Sequence, residues 1–167
     1  FAQMNPPIRE KYHQDELWKG LKDGTINCIA TDHAPHTLDE KNTAYGIAPS
    51  GMPGVETSLP LMLNHSQSGE ITINDIVKWM CENPAIIYKI QNKGFIKEGY
   101  DADITIIDMQ KEKTVSGKTM QSKCGWSAFD GTMIKGWPIK TIVHGNIVYQ
   151  NEMIDTKICG QKVMFDE

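Results

Sequence analysis

Residues 29–36 read IATDHAPH, and they decide how the rest of the chain is read. Asp32, His33 and His36 fall within five residues, directly after the apolar run TINCIA. That run has the β-branched and apolar character of a strand covered on both faces, so residues 25–31 are expected to form one. Pro35 cannot continue a ladder, and the chain must turn there. A buried strand that delivers ionisable groups into a loop at its C-terminal end is how (β/α) barrels and doubly wound sheets present chemistry. A single Asp or His in a loop would suggest only a cap or a solvated side chain. A cluster of three at a strand end points to function.

The flanking segments extend the α/β reading. Upstream, residues 13–21 carry Leu17, Trp18 and Leu21 on one helical face, and Gly24 is placed to end that helix. Downstream, residues 36–54 contain Gly46, Gly51, Gly54, Pro49 and Pro53 and are expected to be a long loop, of a length that is usually either functional or disordered. VETSLPLMLNHS then starts a helix that tolerates Pro60 near its first turn. ITINDIVKWMCENP predicts an amphipathic helix capped by Thr72 or Asn74, with Ile76, Val77 and Met80 on its apolar face. Pro84 should interrupt it, with a second short helix in AIIYKI.

Beyond Gly94 the texture changes. DITIIDMQ alternates as a strand with Ile104, Ile106 and Asp108 on one face, and a region rich in Lys, Ser and Gly follows. Thr141 to Val143 and Ile147 to Tyr149 flank His144-Gly145-Asn146 as a hairpin. Two parts are therefore expected: residues 1–92, α/β in character, and residues 93–167, mostly β.

Composition narrows the partners. With 40% apolar and 23% charged residues, the 167-residue chain can bury a core. A net charge of −4 argues against nucleic acid and in favour of small molecules or proteins. Cys28, Cys81, Cys124 and Cys159 show no CxxC or CxH spacing, which suits a reducing cytoplasm and neither a zinc knuckle nor a disulfide framework. No apolar run approaches the roughly 20 residues of a membrane span. Phe1 is not a start methionine, and FAQMNPPIRE reads like the interior of a longer protein.

In order along the chain, NPPIR, ATDHAPH, SGMPGVETSLPL, NPA, KG, GYDADI, SKCGWSAFDG and VHGNIVY resemble the C-terminal part of a dihydroorotase, in the metal-dependent amidohydrolase superfamily. TDHxP alone is shared with hydantoinases and allantoinases. His36 and the NPP and PGVET segments favour the dihydroorotase branch.

The resemblance implies the last units of a distorted (β/α)8 TIM-type barrel followed by part of a small β-sandwich. It implies reversible cyclisation of N-carbamoyl-L-aspartate to (S)-dihydroorotate in de novo pyrimidine synthesis. Asp32 matches the metal-binding aspartate that also acts as general base and acid. Asn5 and His36 match substrate contacts, and Ser50 and Gly51 match a loop pair whose backbone meets the pyrimidine ring. His33 matches no metal ligand. Zinc, as one or two divalent ions, is the implied cofactor.

The family's HxH pair and the arginine after it do not occur in these residues. The chain alone is therefore expected to be inactive and to associate, as a homo-oligomer or with its N-terminal portion. Two other readings stand beside this one: a non-catalytic structural partner, for example of aspartate transcarbamoylase, and a related cyclic amidohydrolase. Arg9, His13, His65 and His144 read as solvated or structural, as does the Asp101–Asp103 pair at a strand start.

Overall fold

A computed structural model describes residues 1–166. Helices occupy the first half: α1 (Lys11–Asp23), α2 (Leu38–Lys41), α3 (Ser58–Ser66), α4 (Ile73–Val77) and α5 (Asn83–Ile87), with a π-helical segment, Lys78–Glu82, joining the last two. The second half holds β1 (Ile104–Thr114), β2 (Met133–Val143), β3 (Asn146–Gln150) and β4 (Met153–Ile154). These strands make one antiparallel sheet in sequence order, with β1 at an edge.

Residues 25–31 belong to no ladder, which corrects the expected strand. A strand is defined by the hydrogen bonds of its neighbours, and no neighbouring strand lies beside this segment among the described residues. Other groups hold it in place. Gly24, at φ 85°, turns the chain back after α1, as a helix C-terminal glycine does, and the Ile26 N–H donates to the Gly20 carbonyl at 2.8 Å. The Asn83 side-chain amide donates to the Asn27 carbonyl at 2.5 Å, and the Ile29 N–H donates to the Trp79 carbonyl at 3.1 Å.

That last bond follows from Pro84. The expected interruption is instead a widening of one turn, and the helical path continues through the proline. The Asn83 N–H reaches back five residues to the Lys78 carbonyl. The next π-type partner, for the Trp79 carbonyl, would be the nitrogen of Pro84, which carries no hydrogen. The orphaned acceptor turns to Ile29.

The core draws on both halves. Met62, Leu63, Ile71, Ile76 and Trp79 are buried together, and Trp18, Leu21, Ile29, Ile107 and Met109 pack against them. Burying apolar side chains of this size stabilises by roughly 1.5–3 kcal/mol each. Leu17 and Val77, both expected on apolar faces, are instead 57% and 39% exposed. Trp79 lies three residues after Ile76 and takes the inward position. Thr72 caps α4 reciprocally with Asp75, as expected.

In β1 a register shift between Ile106 and Ile107 resets the alternation, so Ile107 faces the core and Ile106 is 41% exposed. The strands also reach further into the Lys/Ser/Gly-rich region than expected, to Thr114 and from Met133. The hairpin after Val143 turns on His144 and Gly145, both at positive φ, which matches the twist of the flanking strands. Between β1 and β2, Val115, Cys124, Trp126 and Ser127 are buried. An Asp130 carboxylate oxygen accepts the Gly117 N–H in that connection.

Candidate functional site

Asp32 has φ 42°, the left-handed region that Asp tolerates better than most side chains. The neighbouring groups over-determine this turn, as expected where an unusual backbone is retained. His33 pairs with Met52 in a parallel bridge, and the Ala34 N–H donates to the Met52 carbonyl at 3.1 Å. Residues 31–36 and 50–54 therefore run side by side. A Cβ on Gly51 would sit 2.5 Å from the Ala34 Cβ, and φ is 126° there, so only glycine permits this approach.

His33 has a structural task. Its Nδ1 accepts the Gly54 N–H at 3.1 Å, with the Val55 N–H at 3.4 Å, which leaves the proton of the neutral ring on Nε2. The imidazole thus anchors the loop ahead of α3.

His36 and Ser50 meet directly. The His36 Nε2 lies 3.0 Å from the Ser50 carbonyl oxygen, which can only accept, so Nε2 must donate. Gly51 is joined to the N-terminal segment, since its N–H donates to the Gln3 carbonyl at 3.1 Å. The chain bends two residues later at Asn5–Pro6, whose peptide is cis. Four of the five residues singled out from the sequence (Asn5, His36, Ser50 and Gly51) thus lie on segments tied to one another. Asp32 enters through the parallel bridge beside it. Among the described residues no cation pairs with its carboxylate.

Three features were not foreseen. The loop at 36–54 contains α2, whose Thr37 and Glu40 form a reciprocal cap. Hydrogen bonds from the Thr37 backbone and hydroxyl hold the Glu40 carboxyl below its ordinary range. The Thr-x-x-Glu spacing announces this cap in the sequence. Lys41 is only 1% exposed, and its ammonium donates to the carbonyls of Gln3 (3.1 Å) and Pro49 (2.8 Å). Trp126, from the connection between β1 and β2, donates its indole N–H to the His36 carbonyl at 2.7 Å. No sequence signal marks Lys41 or Trp126, because a lysine in a polar loop reads as solvated.

A cavity of about 950 Å³ is lined by His33 together with Glu56, Thr105, Lys113, Trp137 and Tyr149. Neither Asp32 nor His36 lines it. Glu56 accepts the Gln121 and Ser122 N–H groups at 2.9 and 2.8 Å, tying the approach to α3 to that connection.

The amidohydrolase family profile matches residues 9–148. The chain belongs to the amidohydrolase family. It is 46% identical over 150 residues to a dihydroorotase of Endomicrobium trichonymphae, covering 89% of this chain and 36% of that protein. To a dihydroorotase of Pyrococcus horikoshii it is 41% identical over 159 residues, covering 95% and 36%.

Among solved structures, the D-hydantoinase of a Thermus species superposes with TM-score 0.86 at 29% identity, and the L-hydantoinase of Arthrobacter aurescens with 0.85 at 32%. Each covers 92% of this chain and 35% of the solved one. The chain thus has part of the amidohydrolase fold and spans about a third of the length of the relatives it matches.

This family typically depends on metal. The described residues bring together no group of three His, Cys, Asp or Glu side chains that could hold an ion. A zinc centre takes three or four protein ligands. Asp32 and its surroundings do not complete one among the described residues, and the zinc expected for the full-length protein would need ligands from beyond them.

Among the described residues no helix is long and apolar enough to cross a membrane. His65 stacks on Trp18 with ring centroids 4.1 Å apart, and Asp101 and Asp103 share Lys93.

Proposed function

We propose that the protein to which this chain belongs is a dihydroorotase, and that the chain contributes the general base and the substrate-gripping loops. The observation that carries this reading is the side-by-side placement of TDHAPH and SGMPG, with His36 donating to Ser50, in a chain 40–46% identical to proteins named dihydroorotase. Residues 1–92 would then be the closing units of a (β/α)8 barrel, and residues 93–167 part of the accompanying sandwich.

The reaction and the residues fit each other. Opening the dihydroorotate ring adds water across the ring amide: the C–N bond breaks, the carbon gains a hydroxyl and the nitrogen gains a proton. The Asp32 carboxylate accepts the proton from water and returns it to the leaving nitrogen. Cyclisation of N-carbamoyl-L-aspartate runs the same transfers in reverse and expels water. A positioned carboxylate in this role is worth roughly 10²–10⁴-fold in rate.

His36 donates to the substrate carboxylate in a charge-assisted bond, and Asn5 supplies a second contact. The Gly51 N–H is engaged by Gln3, which leaves its carbonyl as the backbone group to accept from an N–H of the ring. One or two divalent ions, with zinc the expected metal, would use Asp32 as one ligand and draw the others from outside this chain. The proposed setting is cytoplasmic. The proposed assembly is a homo-oligomer, with aspartate transcarbamoylase as a further proposed partner.

The decisive experiment is steady-state turnover by the protein at its natural full length. Dihydroorotate and N-carbamoyl-L-aspartate should both be converted, with much lower kcat/KM for hydantoin and dihydrouracil. Faster turnover of hydantoin would move the protein to its structural neighbours' branch. No turnover of any cyclic amide by a folded, metal-replete protein would leave the structural-partner reading.

A further inference from the structure

We propose that Lys41 and Trp126 form a brace that sets the spacing of the substrate-gripping loops, making both positioning residues. This rests on the assignment of Asn5, His36, Ser50 and Gly51 to the substrate.

Lys41 is among the most deeply buried side chains of the described chain, and no carboxylate pairs with it there. Burying an ammonium is costly unless its donors are satisfied. Here they are satisfied by backbone oxygens from two segments far apart in sequence, Gln3 and Pro49. The same Gln3 carbonyl accepts the Gly51 N–H, and the Gln3 side-chain oxygen accepts the Gly46 N–H at 2.6 Å.

One ammonium therefore ties the segment leading to Asn5 to the segment leading into Ser50 and Gly51. The Trp126 ring lies 5.9 Å from the ammonium, within cation–π range. Its N–H holds the His36 carbonyl, and Phe1 packs edge-on against it with centroids 5.2 Å apart. All the proposed substrate contacts other than the catalytic carboxylate thus converge on two side chains that do not themselves face the substrate.

A structural lysine would be replaceable by any residue that fills the space. A brace needs the charge, because a methylene chain alone cannot hold two carbonyls. The test uses Lys41→Met in the full-length protein. Amide exchange at Gly51 and Gly46 should accelerate at least about tenfold, since the bonds they make to Gln3 lose their clamp. KM for dihydroorotate should rise about tenfold or more while kcat stays within about threefold.

Unchanged exchange at both glycines overturns the proposal, and so does a fall in kcat with KM unmoved. If Lys41→Met fails to fold, Trp126→Phe decides: it keeps the ammonium, loses the His36 tie and must show the same rise in KM. An unchanged KM in that variant overturns the brace. If the wild-type protein does not turn over dihydroorotate, the functional reading fails, and the exchange rates alone judge the brace.

Discussion

Two acidic turns in this molecule look alike in sequence and are treated oppositely by the fold. Around Asp101–Asp103, both carboxylates are matched: Lys93 lies 2.9 Å from Asp101 and also bonds Asp103, which accepts the His144 N–H at 2.8 Å. Burial pushes the Asp103 carboxyl up, but Lys93 and the His144 N–H outweigh it and hold it below its ordinary range. The hydrogen bond from Lys93 to Asp103 leads the causes that raise the lysine's own pKa. Around Asp32 the backbone is strained into the left-handed region, the neighbours on both sides are anchored, and no cation neutralises the carboxylate among the described residues. The first turn uses charge to hold a strand in place. The second uses backbone to hold a charge in place.

The largest break in that contrast should come from Asp32→Asn in the full-length protein. The amide keeps the shape and cannot take a proton, so kcat should fall by roughly 10²–10⁴-fold with the melting temperature preserved. Stopped assays and thermal unfolding check both halves of the expectation. Substantial retained kcat would mean that Asp32 is not the base.

Next in size, His36→Ala and Asn5→Ala should each lower kcat/KM by about ten- to a hundredfold, the loss of one charge-assisted or polar contact worth roughly 1.5–3 kcal/mol. Metal content should stay at the wild-type level. Elemental analysis showing lost metal would move either residue into the metal's own ligand set.

On the other side of the comparison, Lys93→Met should lower stability by about 1–2 kcal/mol without touching turnover per folded molecule. Its pH dependence follows from the directions of the shifts. A carboxyl depressed in the folded state stabilises above its unfolded value near ~4 and loses that contribution as pH falls through the folded value. A lysine raised in the folded state contributes fully below ~10.4 and loses it as pH rises through the raised value. The difference between wild type and variant should therefore be flat between these limits and shrink outside them, as urea titrations at several pH values would show. The smallest effect belongs to Thr72→Ala, which removes one reciprocal cap and should lower stability by about 1 kcal/mol by the same titration.

Much of this was legible in the residues. The helix ending at Gly24, the Thr72 cap, the helix carrying Pro60 and the tight hairpin at His144 all rest on local rules. What failed rests on partners distant in sequence. Residues 25–31 have the composition of a strand, yet a ladder needs neighbours that a single segment cannot announce. Lys41 looks like any loop lysine, and its burial depends on carbonyls at positions 3 and 49. Ile106 follows strict alternation, which a one-residue register shift cancels. The dihydroorotase resemblance located the loops. It did not reveal what holds them together.

The position of Asp32 depends in the end on an atom that is not there. Pro84 has no amide hydrogen, so the π turn before it leaves the Trp79 carbonyl with nothing to accept from its own helix. That vacancy is filled from outside, by Ile29, three residues ahead of the carboxylate. A helix normally closes its hydrogen bonds on itself and offers its neighbours only side chains. Here a proline opens one rung of that closed ladder and turns the helix into a docking rail for a segment with no strand beside it. Any other residue at position 84 would return the hydrogen and give the helix its own partner back. The segment that carries Asp32 would then have to compete for a bond it now holds by default.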